Sequence, residues 1–115
     1  MNKEEFLTSF KNLVSSVDSI LNGKGLEYRT NEDVFSNFKS LSEVLGLTKY
    51  QIWSVYFFKH MTSIQNSIKT NPSDPSSYGT SEKIDSRIQD AIAYLCLLQG
   101  MLDEDNQLKN QSKKE

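Results

Sequence analysis

Two stretches of this sequence hold side chains whose types and spacing could do chemistry. In the later one, Arg87, Asp90 and Tyr94 follow one another at three- and four-residue intervals, which puts all three on one face of a helix. Asp90 directly precedes the apolar Ala91-Ile92-Ala93, and a carboxylate buried there alone is expensive, so it must be paired or neutral. Arg87 and Tyr94 can tie it into a structural polar latch. Equally, that face can form a ligand site, or Asp90 can ligate a metal. In the earlier stretch, Lys59 and His60 interrupt the aromatic-rich segment Trp53–Phe58. His60 is either a satisfied structural residue or, because imidazole titrates near neutrality, a base or switch. Lys59 shares a face with Ile52, Tyr56 and Ser63, from which its ammonium can reach the surface or meet a phosphate.

Smaller signals flank these. Lys24-Gly25-Leu26-Glu27-Tyr28 sets a lysine beside a flexible glycine ahead of a helix start, which suits an anion and equally an ordinary turn. Asn37, one helical turn beyond Asp33, adds a polar side chain between Ser36 and Phe38. Glu82 and Asp85 have the spacing of a metal-binding pair, but carboxylates at a helix start also simply complement its dipole. There is no G-x-G-x-x-G, P-loop, H-E-x-x-H or C-x-x-C, and one histidine is too little to argue a hydrolase triad. Cys96, the single cysteine, can neither close an internal disulfide nor build a structural zinc site by itself.

The elements that must position these groups read as helices. At 115 residues there is room for one domain. With 37% hydrophobic residues, 6 Phe and 5 Tyr, the chain is too aromatic for a disordered polypeptide. Its longest apolar run, Ala91–Leu98, is far short of the roughly twenty residues of a membrane span, and no secretory leader follows Met1. A net charge of −2 argues against a broad nucleic-acid surface. A cytoplasmic location is the default expectation.

Phe6, Phe10, Leu13, Val17, Ile20 and Leu21 recur at helical spacing, and Gly23 and Gly25 then stop the helix, glycine readily taking a left-handed cap. A second helix is expected from Thr30 to Gly46, with Asp33 near its positive end. A third opens on Thr48-Lys-Tyr-Gln51, the spacing of a capping box, and carries Trp53, Phe57, Met61, Ile64 and Ile68 on one stripe. Both prolines fall in a loop over 70–80. The fourth helix starts near Ser81, with Ile84, Ile88, Ala91, Leu95, Leu98 and Leu102 as its seam. The predicted fold is therefore an all-α antiparallel four-helix bundle over 1–102, with a flexible charged tail over 103–115. The fourth helix is apolar nearly all round, so it must be surrounded, and a homo-oligomer, with a dimer favoured, is expected.

The order Lys24-Gly-x-Glu27-Tyr28, Asp33-x-Phe35-x-Asn37-Phe38, Lys59-His60-x-x-Ser63-Ile64 and Ser81-Glu82-x-Ile84-x-x-Arg87-Ile88-x-Asp90-Ala91-Ile92-x-Tyr94-Leu95 resembles small phage- and prophage-type proteins. These in turn resemble the all-α MazG-like nucleotide pyrophosphohydrolase superfamily. The resemblance spans about residues 20–102. It implies an oligomeric helical bundle with a nucleotide phosphate site between helices, in which Lys24, Lys59 and Arg87 would meet phosphate. Tyr28, Trp53 or Tyr56 would offer a stacking surface, and Asn37 and Asp90 would orient these groups or bond the sugar or base. Glu27, His60 and Tyr94 complete the expected nucleotide-binding set.

MazG-like enzymes hold Mg²⁺ with an E-x-x-E and an E-x-x-D pair. No E-x-x-E occurs here, and if Asp90 is the last residue of the second pair, Arg87 stands where its glutamate should be. A guanidinium repels a hard cation. The expectation is thus a phage-type protein that binds or sequesters a linear or cyclic nucleotide without clear hydrolytic machinery and with no cofactor. Mg²⁺-dependent pyrophosphohydrolysis is the alternative, with Glu27, Glu82, Asp85 and Asp90 as metal candidates. A structural protein–protein interaction module is the third.

Overall fold

Asn2 accepts the Glu5 backbone N–H at 2.9 Å, and Glu4 and Glu5 complement the positive end of the helix that follows, α1 (Lys3–Asn22). In the computed structural model, which describes residues 1–23, 33–77 and 83–114, α1 is followed by α2 (Ser36–Leu45), α3 (Lys49–Thr70) and α4 (Ile84–Lys114). A single 3₁₀ turn at Pro75–Ser77 is the only other regular element among the described residues, so the all-α expectation holds. Gly23 ends α1 at φ −115°, its N–H reaching back to Ser19 and Ile20, without the left-handed cap expected there. That conformation appears instead at Gly46, φ 67°, which closes α2.

The second helix begins six residues later than the sequence suggests. The Asp33 carboxylate accepts the Phe35 N–H at 3.0 Å and its carbonyl accepts the Ser36 N–H, so Asp33 fastens a turn ahead of the helix and is not part of it. The capping box of α3 is present in full. Thr48 accepts the Gln51 N–H at 3.1 Å, and the Gln51 side chain accepts the Thr48 N–H at 2.8 Å.

α3 and α4 lie antiparallel, as Tyr50 near Asp105, Trp53 near Tyr94 and Ser63 near Arg87 require. With only ten residues, α2 is too short to be a full rod. It packs on both of them around Met101, where Phe35, Phe38, Ile52, Trp53 and Met101 form the buried cluster. Met101 is wholly enclosed and Trp53 donates its indole N–H to the Tyr94 carbonyl at 2.7 Å.

α1 departs from the expected antiparallel arrangement. Its Ser9–Ser16 segment shares a groove with Asp85, Ile88 and Gln89, and further along, Phe10–Leu21 faces Ile92 and Cys96. The neighbours advance together, so α1 runs alongside α4 in the same sense. The apolar stretch Ala91–Leu98 is flanked by α1 on one side and by α3, with α2, on the other; Ala91 and Ala93 are buried, while Leu95 and Cys96 stay exposed.

α4 continues past Leu102, where the aliphatic seam ends and a charged tail was expected, as far as Lys114. Its first charges past that seam are tied down. Lys39 bridges Asp33 at 2.9 Å and Glu104 at 2.8 Å, and Lys49 meets Asp105 at 2.6 Å. The Tyr50 hydroxyl also donates to Asp105. Lysine bonds hold the Asp33 and Asp105 carboxyls below the usual carboxylate range, while Asp33 and Glu104 raise Lys39.

Burial, then the bond to Asp105, pushes the Tyr50 phenol up to about 12. A phenol whose folded value lies above its unfolded one stabilises the fold fully below pH 10, and that stability is lost as pH rises through about 12. Tyr50→Phe should therefore flatten the loss of stability between about pH 10 and 12 in urea titrations followed by circular dichroism. An unchanged alkaline limb would show that Tyr50 does not govern it.

Candidate functional site

Successive residues of an α-helix are turned by about 100°, so Tyr56, His60 and Ser63 lie within a narrow stripe of α3, and Arg87, Asp90 and Tyr94 within one of α4. The antiparallel pairing lays these stripes against each other. The His60 and Tyr94 rings are 4.5 Å apart between centroids, and Tyr56 and Tyr94 are 6.3 Å apart. Phe38, from α2, stands edge-on to both tyrosines at 6.3 Å, fixing them from the core side. Arg87 reaches from α4 to α3, where its guanidinium donates to the Ser63 carbonyl at 3.4 Å and to the Ser63 hydroxyl. All of Tyr56, His60, Arg87, Asp90 and Tyr94 are half-buried, neither sealed in the core nor free in water.

Burial, then Tyr56 and Asp90, raises the Tyr94 phenol, so it stays a neutral hydrogen-bonding group through the physiological range. Lys59 stands at the rim. Its side chain is exposed, and the ammonium lies 5.8 Å from the centre of the Tyr56 ring, within cation–π range. It also borders a groove of about 170 Å³ between α2 and α3, lined by Leu41, Leu45, Leu47, Ile52, Val55 and Tyr56.

Of the expected site residues, the structure gathers Tyr56, Lys59, His60, Arg87, Asp90 and Tyr94. Asn37 is half-buried on α2, but it is turned about 100° from Phe38 and so leaves the face that meets the tyrosines. Lys24, Glu27, Tyr28 and Glu82 lie outside the described residues. Asp85 is exposed, on the side of α4 that borders α1, about 140° around the helix from Asp90. Those two carboxylates cannot share an ion, and among the described residues no three His, Cys, Asp or Glu side chains gather to hold one.

Two contributors were not in the expected set. Ser63 holds the Arg87 guanidinium, a contact between helices that its place on the face of Tyr56 and Lys59 did not reveal. Phe38 buttresses the tyrosines, which no local spacing could reveal because the contact joins three helices. The assembled face offers aromatic planes, a carboxylate, an imidazole and two cations at a half-dry surface.

No protein-family model, curated protein or solved structure matches this chain. Among the described residues, no helix is long and apolar enough to cross a membrane.

Proposed function

We propose that this protein binds a small phosphorylated nucleotide, linear or cyclic, along the α3–α4 face and does not hydrolyse it. What carries this reading is the His60–Tyr94 ring contact at 4.5 Å, with Arg87 bonded at Ser63 and Lys59 beside the Tyr56 ring. A base would stack on the exposed parts of Tyr56, His60 and Tyr94, while Arg87 and Lys59 draw in the phosphate. Asp90 would accept from a sugar hydroxyl or a base amine. The short motifs that resemble small phage-type and MazG-like sequences imply the same ligand class, and sequestration of a signalling nucleotide is the role we propose with it. A Mg²⁺-dependent pyrophosphohydrolase is disfavoured by the separation of Asp85 from Asp90 around α4, since Mg²⁺ needs convergent oxygen ligands.

A second reading, a protein–protein interaction module, is favoured by the apolar side chains left outside. Phe6, Phe10, Val44 and Phe58 are between 53% and 78% exposed.

Thermal-shift measurements against linear and cyclic nucleotides, with and without Mg²⁺, separate these readings. A nucleotide at a hundred times its Kd should add about 2.7 kcal/mol to the folded state, raising Tm by roughly 10 °C. Mg²⁺-dependent release of pyrophosphate would favour the enzyme, and no shift with any nucleotide would favour the interaction module.

A further inference from the structure

α1 is a 20-residue helix in which Val17 alone is buried. Helices of this length owe most of their stability to packing of an apolar face, and here half of that face is uncovered. Leu13, Val17 and Ile20 turn toward α4, while Phe6, Leu7, Phe10 and Val14 remain 61%, 42%, 53% and 50% exposed. Beside them runs a groove of about 280 Å³ along α1, floored by Ile92 and Cys96, in which Asp18 is the one charged residue.

The outer stripe of α1 is close to symmetric about its centre. Leu7 and Leu21 stand seven residues either side of Val14, and Phe10 and Val17 lie four and three residues away. On the stripe's outer edge are Lys11, three residues before Val14, and Asp18, four after it, carrying opposite charges. Both are exposed, and Asp18 accepts a bond from Asn22 on one oxygen only. An identical helix laid antiparallel across Val14 meets Leu7 with Leu21, Lys11 with Asp18, and Asp18 with Lys11. A two-fold interface must be self-complementary in this way.

We propose that a second copy of this chain covers α1, its own α1 antiparallel and centred on Val14, so that the two α1–α4 pairs form an intermolecular four-helix layer. The interface belongs to α1 and leaves the α3–α4 face open. This reading is independent of any nucleotide.

Analytical ultracentrifugation of the full chain across micromolar concentrations, with far-UV circular dichroism as the check on folding, tests it. Wild type should sediment as a dimer. Val14→Glu places two carboxylates against each other on an exposed site and should give a folded monomer. Lys11→Glu and Asp18→Lys should each weaken association by about fivefold or more, since each breaks two rim pairs and sets like charges together. The double variant K11E/D18K should restore wild-type affinity, which a merely local effect of either charge would not do. A wild-type monomer, a dimer that survives Val14→Glu, or a double variant no better than the singles would overturn the proposal.

Discussion

Phe38→Ala should destabilise the fold by about 3–5 kcal/mol, the range for deleting a well-packed buried aromatic side chain. Phe38 is 4% exposed and touches α3 and α4 at once through Tyr56 and Tyr94. Its loss leaves a void where three helices meet, and α2 has too few other buried side chains to close it. Among α2's own residues it is the one fully buried. At around 4 °C per kcal/mol the melting temperature should fall by more than 10 °C, readable in a thermal scan or a urea titration. A fall of only a few degrees would mean that α2 repacks and that the α2–α3–α4 junction is not the centre of stability.

The second large effect concerns the proposed ligand face, where the two cations should separate cleanly. Lys59→Ala removes an exposed side chain with a single cation–π neighbour, so the ligand-free melting temperature should barely move. Nucleotide affinity should nevertheless drop by roughly ten- to a hundredfold, the worth of one charge-assisted phosphate contact. Arg87→Ala should weaken the ligand similarly and also lower ligand-free stability, because its guanidinium spans from α4 to Ser63 on α3. Isothermal titration calorimetry on both variants, beside their unliganded melting curves, reads the contrast. If Lys59→Ala loses stability but not affinity, the lysine is architectural and the phosphate lies elsewhere.

Much of the candidate face could be seen before any coordinates, because its spacing is local. Arg87, Asp90 and Tyr94 share a stripe of one helix, as their spacing shows; on the other helix the sequence grouped Lys59 with Tyr56 and Ser63, and it is the ring contact with Tyr94 that brings in His60. The Thr48–Gln51 cap was legible for the same reason, being a contact three residues long. What escaped is non-local. The ion pairs from Lys39 to Glu104 and from Lys49 to Asp105 join residues more than fifty positions apart, and no periodicity announces them. They tie the start of the charged stretch to α2 and α3, where composition alone suggested a loose tail. The direction of α1 escaped because helical spacing within a segment says nothing about which way that segment lies against its neighbours. The α4 seam was only half right: Ala91 is buried and Ile84, Ile88 and Leu98 are half-buried, yet Leu95 and Leu102 are 47% and 43% exposed, and the wholly buried Met101 lay outside the expected seam, because the helices wrap α4 from two sides and not from all.

α4 is the spine on which the other helices lean. Contacts such as Phe35 with Gly100 and Tyr50 with Asp105 close chain loops of half a hundred residues or more, and all of them wait for the last third of the polypeptide. During translation at about 5–20 residues per second, the first three helices therefore emerge before the helix that covers their apolar faces, with α2 and α3 having only each other to pack on. For those seconds the nascent chain is at its most vulnerable to chaperones, proteases and its own neighbours on a polysome.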